Sequence, residues 1–264
     1  MLSVMGDVNL DSISPEIILF LLIVGFIAAF IDSVVGGGGL VSLPALMFTG
    51  LPPSVVLGTN KLASSLCSLT STISFLRSGK IDCRLVVWLF PLSFIGSVLG
   101  AYTVRHIPSE FLKPLVVVLL IVVAIYTVLK KDWGTESTYQ GLNPKTKSII
   151  ALTVFGIGFY DGFFGPGAGS FFIFSFLMLG FDFVVAAGNA KVMNFASNIA
   201  AVITFIYLDS VNFYYGFIMG GAMIAGAIAG SRVAIKSGAA YVRPLFIGIT
   251  TLLIGKQLWD VVMK

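Results

Sequence analysis

Apolar residues along the chain gather into long stretches separated by short polar breaks. The stretches fall at 16–31, 34–49, 55–76, 85–104 and 110–129, then at 148–160, 162–179, 184–208, 213–235 and 242–262. Roughly 20 predominantly apolar residues carry a helix across a hydrocarbon core of about 30 Å, so most of these stretches read as membrane spans. The breaks at Leu51-Pro52-Pro53, Arg77-Ser78-Gly79-Lys80 and Arg105-His106-Ile107-Pro108 have the proline, glycine and charge of turns at a membrane surface. The pattern predicts an all-α, polytopic integral membrane protein.

Five stretches precede the longest polar segment, 130–147, and five follow it. That segment holds Gly134, Gly141 and Pro144 and reads as a cytoplasmic linker between a first transmembrane repeat over 1–129 and a second over 148–264. The residues support a duplication. Phe30-Ile31-Asp32-Ser33 with Gly36, Gly37, Gly38 and Gly39 lies against Phe159-Tyr160-Asp161-Gly162 with Gly165, Pro166, Gly167 and Ala168 at an offset of 129. Beyond a one-residue gain, Lys61, Ser68, Phe75, Gly96, Gly100, Lys113 and Pro114 match Lys191, Asn198, Phe205, Gly226, Gly230, Arg243 and Pro244 at an offset of 130. An ordered series that includes Asp and Lys within apolar surroundings indicates two homologous halves.

In each half the first stretch ends at Asp32 or Asp161 and a glycine cluster follows at once. The next arm, 40–49 in the first half, is too short to cross the bilayer at about 1.5 Å per residue. Clustered glycines weaken a helix and expose backbone amides, which hydrocarbon tolerates only where protein buries the break or a wet cavity lines it. Each pair therefore reads as a glycine-broken or re-entrant helical hairpin. Charge suggests that the halves are inverted. Arg77, Lys80 and Arg84 mark the third connection of the first half as cytoplasmic, whereas its counterpart carries Asp209 and the following connection carries Arg232, Lys236 and Arg243. Arg105 and Lys113 run against this assignment.

Composition narrows the function. Of 264 residues 57% are hydrophobic and 11% charged, with a mean hydropathy of +1.02. A soluble domain of this length carries roughly 25% charge, so an aqueous enzyme is disfavoured. The net charge of +4 is scattered, without the basic and aromatic clustering of a nucleic-acid surface. Cys67 and Cys83 have no CxxC spacing and read as packing residues, and the single His106 sits in a short loop, so no metal site and no cofactor are expected. Asp7, Asp11 and Glu16 replace the basic start of a signal peptide, so an uncleaved first span is expected.

The candidate chemistry lies within the spans. Asp32 and Asp161 stand at matching places beside the glycine breaks, where a charge suggests an ion, proton or substrate site or, alternatively, a helix cap or ion pair. The amides around Gly37, Gly38, Gly167 and Gly169 could meet a small oxyanion at a helix N-terminus, or the glycines could serve packing and hinging alone. Lys61 heads a helical stripe through Ser64, Ser65, Ser68 and Thr72, and Lys191 one through Asn194 and Asn198. Asn60 and Asn189 lie near the same ends. A cationic amine with hydroxyls and amides suits an anion path; the alternative is a buried pair of each lysine with Asp32 or Asp161 that fixes helix register. Gly96 and Gly100, repeated as Gly226 and Gly230, read as close helix packing. Phe159, Tyr160, Phe163, Phe164, Phe171 and Phe172 could wall a cavity or simply pack.

These residues resemble the TauE/SafE family of bacterial permeases for sulfite and organosulfur anions, and its YfcA-like branch in particular. The resemblance rests on Gly25-Phe26 through Ile31-Asp32-Ser33, the Gly36 cluster, Pro44-Ala45-Leu46, Thr59-Asn60-Lys61-Leu62, Gly158-Phe159-Tyr160-Asp161-Gly162-Phe163-Phe164-Gly165-Pro166-Gly167-Ala168-Gly169-Ser170, Ala190-Lys191-Val192 and Asn194 with Asn198. It implies a multi-pass protein of the bacterial plasma (inner) membrane moving a small organic or inorganic anion, and about seven or eight spans rather than ten. The mechanism expected is alternating access, with Lys61 or Lys191, helix-break amides and the Ser and Asn stripes holding the anion and Asp32 or Asp161 carrying a proton. The expected partners are that anion, a proton and the lipid bilayer, with no nucleic acid. An anion channel and a non-transporting membrane scaffold are the rivals, and no nucleophile with a base supports an enzyme.

Overall fold

The computed structural model describes residues 15–108, 110–111 and 137–262, with 238–262 described by backbone alone. The stretch expected at 110–129 lies outside the described residues, apart from Glu110 and Phe111. The described residues form helices α1 (Pro15–Val35), α2 (Gly39–Met47), α3 (Pro53–Arg77), α4 (Cys83–Val104), α5 (Pro144–Phe163), α6 (Ala168–Met178), α7 (Phe183–Tyr207) and α8 (Phe213–Val262), with no strand among them. Four are long and apolar enough to cross a membrane: α1, α4, α7 and the Phe213–Ser237 part of α8.

Two boundaries differ from those the sequence suggests. Helix α5 begins at Pro144, inside the expected linker, because the Asn143 side chain accepts from the Thr146 amide at 2.8 Å and proline suits the first helical turn. The stretches at 213–235 and 242–262 form one helix, α8. The residues between them hold Gly238, which weakens a helix by about 1 kcal/mol, but no proline, and Ala239 and Ala240 favour continuation.

The broken hairpins are present. Helix α1 is about 32 Å long and α2 about 14 Å, so α2 cannot cross the bilayer. It turns back along α1, which brings Phe48 at its end within 6.2 Å of Phe20, near the start of α1. The first hairpin is therefore a long helix with a short return arm. Helices α5 and α6 repeat the shape, with a break at Gly165 and Gly167.

The apolar interior has two large clusters, one per hairpin, and a small third one of Ile31, Val34 and Val35. Leu21, Ala28, Leu40, Leu43 and Leu46 of the first hairpin pack with Val56 and Leu57 at the start of α3, Phe205 at the end of α7 and Tyr215 and Met219 of α8. Ile150, Val154, Phe172 and Phe176 of the second pack with Phe75 at the end of α3, Leu85 and Leu89 of α4, Ala186 and Ala187 at the start of α7 and Ala234 of α8. Helices α3 and α7 thus run antiparallel through both large clusters, and the hairpins dip in from opposite ends of the bundle. Their tips meet: Ser170 donates its amide to the Gly36 carbonyl at 3.0 Å and its hydroxyl to the Val35 carbonyl at 2.8 Å.

Glycine sets the spacing of the outer helices. A Cβ at Gly96 or Gly100 of α4 would strike the carbonyl oxygens of Phe155 and Phe159 on α5, and one at Gly226 or Gly230 of α8 would strike those of Phe26 and Phe30 on α1. Glycine lets these backbones touch. The packing obeys the offsets of 129 and 130 seen in the sequence.

Candidate functional site

The hairpin breaks carry Asp32 and Asp161 into the centre of the bundle, where each meets a lysine from the other half. Lys61 on α3 reaches Asp161 on α5 with Nζ to Oδ1 at 2.5 Å, and Lys191 on α7 reaches Asp32 on α1 with Nζ to Oδ2 at 2.7 Å. The pairing is reciprocal. Lys61, Asp161 and Lys191 have side chains 2%, 2% and 0% exposed, whereas Asp32 retains 16%. Removing charges from water is costly, so such pairs persist only when further hydrogen bonds satisfy them.

Those bonds are present. Lys61 also donates to Asn198 Oδ1 at 3.3 Å, and Asp161 Oδ2 accepts from Asn194 Nδ2 at 3.0 Å and from the Ser197 hydroxyl. Lys191 donates to the Asp32 carbonyl oxygen as well as to its carboxylate. Asp32 Oδ1 accepts the Gly38 amide at 3.3 Å, and the Cys67 thiol lies 3.8 Å from Oδ2. Ser197 and Cys67 are counterparts at the offset of 130, so each half places one small donor beside its own half's aspartate.

The pairs stand at different depths. Lys61 is eight residues into α3 and Lys191 eight residues into α7. The helices run in opposite directions, so each lysine lies about 12 Å along its helix from opposite ends of the bundle. Between and beside the pairs is a cavity of about 20 Å³, bordered among others by Asp32, Gly38, Ser42, Asn60, Lys61, Ser64, Cys67, Asp161, Gly167, Gly169, Asn194 and Asn198. That volume holds about one water molecule.

Most of the residues singled out in the sequence meet here, but three take other places. Asn189 is the clearest. Its Oδ1 accepts the Asp82 amide at 2.8 Å, near the start of α4. Thr59, its counterpart at the offset of 130, accepts the Asn212 amide at 2.9 Å near the start of α8. Asn189 therefore belongs with Thr59, each bracing the start of a helix in the other half, and not with Asn60. Ser68 donates back to the Ser64 carbonyl at 2.7 Å, and Gly37 does not border the cavity. The six aromatic residues do not border it either: Phe164 and Phe172 are core, and the Tyr160 hydroxyl donates to the Pro166 carbonyl at 2.7 Å. Sequence reasoning missed Ser42, whose hydroxyl donates to Asn60 Oδ1 at 2.6 Å, and Ser197. The spacing of Ser197 from Asn194 was the available signal for the second. Cys67 packs in the first cluster, as its sequence context suggests, and also borders the cavity.

Glycine is required at the tips. Gly36 and Gly165 have φ of 81° and 100°, and Gly167 has φ of 83°. A Cβ at Gly165 would come 2.6 Å from the Lys61 amine and 3.1 Å from Asp161 Oδ1, so a side chain there would occupy the ion-pair site.

Broken hairpins meeting around buried, reciprocally paired charges, in a bundle of apolar helices, define a multi-pass membrane protein. Comparison with known proteins gives the class its family: residues 21–256 match the sulfite exporter TauE/SafE family, and the chain belongs to it. It is a bacterial inner-membrane protein of a transporter family. It is 36% identical over 252 residues to the probable membrane transporter protein ORF9 of Sinorhizobium sp, covering 95% of this chain and 96% of that one. It is 34% identical to a probable membrane transporter protein of Haemophilus influenzae, covering 94% and 97% of the two chains. The probable membrane transporter protein YfcA of Escherichia coli K12 is also 34% identical, with 96% and 93% covered. No solved structure matches the chain.

Proposed function

We propose that this protein is a secondary transporter of a small anion, a sulfite, sulfonate or related organosulfur compound, working by proton-coupled alternating access between two inverted repeats. The observation that carries this reading is the reciprocal pairing of Lys61 with Asp161 and Lys191 with Asp32 at the meeting hairpin tips. Each pair ties one half of the chain to the other, so relative movement of the halves must disturb both.

The inverted arrangement is supported by the matched glycine contacts and by the opposite ends from which the hairpins enter. Arg77, Lys80, Arg84, Lys145 and Lys147 gather at the end from which α5 starts, which the positive-inside tendency makes cytoplasmic. Arg105, His106 and Asp209 lie at the other end, and Arg105 and Asp209 line a shallow outer cavity there. Lys61–Asp161 then stands nearer the outside and Lys191–Asp32 nearer the cytoplasm. A channel needs a continuous polar path. Two ion pairs in series around space for about one water favour a carrier.

In this reading an anion contacts Lys61 or Lys191, the amides near Gly38, Gly167 and Gly169, and Asn60, Ser64, Asn194 and Asn198, while Asp32 or Asp161 takes up a proton as exposure changes. Uptake of labelled sulfite and a sulfonate panel into proteoliposomes, with and without an inward proton gradient, tests it. Saturable, gradient-enhanced uptake that disappears in folded Lys191→Ala supports the carrier. No uptake above empty liposomes from folded protein removes the substrate class.

A further inference from the structure

The charges at the hairpin tips balance: two ammonium groups and two carboxylates within one buried cluster. A cavity of about 20 Å³ leaves no room for an oxyanion of several heavy atoms while both pairs are closed. Two of the three N–H donors of each lysine are also taken, those of Lys61 by Asp161 and Asn198 and those of Lys191 by two oxygens of Asp32. An incoming anion must therefore take the place of a carboxylate.

We infer that the protein exchanges a substrate anion for an aspartate on a lysine, and that the displaced aspartate takes a proton, so that transport is electroneutral with one proton carried per negative charge. This rests on the anion-carrier reading and adds to it the stoichiometry and the group that fixes it. The reason is electrostatic. With its pairs closed the cluster is neutral, and an uncompensated charge in such surroundings is strongly disfavoured. A monoanion alone would leave the occluded site at one negative charge; one proton on a freed carboxylate restores neutrality, and a dianion calls for two. The two aspartates set the upper limit at two.

The groups facing the carboxylates leave few other proton carriers. Asp161 faces Lys61 from α3, and Asn194 and Ser197 from α7. Asp32 faces Lys191 from α7, the Cys67 thiol from α3 and the Gly38 amide. The Tyr160 hydroxyl beside Asp161 donates to the Pro166 carbonyl. Ser97 of α4 donates to the Ser197 carbonyl at 2.5 Å, and Met223 of α8 carries no charge. Among the described residues in contact with the pairs, the aspartates are the only carboxyls.

The test uses full-length protein in proteoliposomes, labelled sulfite as cargo, and potassium gradients with an ionophore to set the membrane potential apart from the pH gradient. Wild-type uptake rates at zero and at inside-positive potential should agree within about twofold, while an inward gradient of one pH unit should raise the plateau about tenfold per proton carried. Asp161→Asn and, as an independent variant in the other pair, Asp32→Asn each leave the site one positive charge in excess. Either should carry the anion with one proton fewer, so that an inside-positive potential now drives uptake. Infrared difference spectra of the wild type on sulfite addition should show a new protonated carboxyl that is reduced in these variants. Wild-type uptake driven by inside-positive potential without a pH gradient overturns the exchange and leaves the anion carrier standing. Absence of sulfite uptake under either gradient overturns both.

Discussion

Replacing Asp161 by leucine strands the Lys61 ammonium. The charges lie 2.5 Å apart with both side chains 2% exposed, so bulk solvent does not replace the lost partner. Removing one member of such a pair costs about 3–5 kcal/mol. Neutralisation sets a ceiling: at pH 7 an ordinary amine gives up its proton for about 5 kcal/mol and an ordinary carboxyl takes one for about 4. Lys61→Met should therefore cost slightly less than Asp161→Leu. The double variant should recover most of either loss, since an apolar pair of similar volume replaces both charges. It does not recover all of it, because Asn194 and Ser197 lose an acceptor, at about 1 kcal/mol each. The expected coupling is therefore about 4–8 kcal/mol. Reversible unfolding in mixed micelles, followed by the fluorescence of the three tryptophans, measures all four corners of the cycle. Additivity within about 0.5 kcal/mol would refute the reasoning, because it would mean that the two residues do not interact in the folded protein.

Three further outcomes are expected. Gly100→Leu and Gly230→Leu should each cost at least about 1–3 kcal/mol by forcing helices apart, whereas Gly221→Ala, which meets nothing within 4 Å, should be neutral or stabilising; melting in detergent compares them. Asn189→Ala should lose about 1 kcal/mol with its bond to the Asp82 amide, yet keep sulfite uptake within about twofold of wild type; a loss of uptake with intact stability would return Asn189 to the site. Cys67 is 2% exposed and Cys83 is exposed, so in single-cysteine proteins a methanethiosulfonate reagent should modify Cys67 at least about tenfold more slowly; equal rates would mean an open cavity.

Much of this arrangement was legible in the sequence because it repeats. The glycine breaks, the short arm after Gly39 and the matched Asp and Lys all follow from elementary costs: glycine in a helix, a span too short for the bilayer, a charge in hydrocarbon. The partner of each charge was not legible. Periodicity places Lys61 and Ser64 on one face of α3 but contains nothing about which hairpin packs against that face. The pairing therefore stood only as one alternative, without a choice between Asp32 and Asp161. Asn189 was misleading for a related reason. It resembles Asn60 in type, but its counterpart at the offset of 130 is Thr59, and only the hydrogen bonds to Asp82 and Asn212 reveal the shared role. The continuous α8 escaped because the dip in hydropathy at 236–241, with Lys236, Ser237 and Gly238, reads as a turn although the backbone stays helical.

The most direct measurement is labelled sulfite uptake by proteins in which a whole pair is replaced by apolar side chains, Lys61→Met with Asp161→Leu, and Lys191→Met with Asp32→Leu. Each keeps the volume of the bundle and removes one anion-competent lysine together with its carboxylate. The account predicts that both proteins remain folded and that uptake in both falls to the level of empty liposomes. Wild-type uptake by either protein would contradict it, because the anion would then be crossing without one of the two lysines.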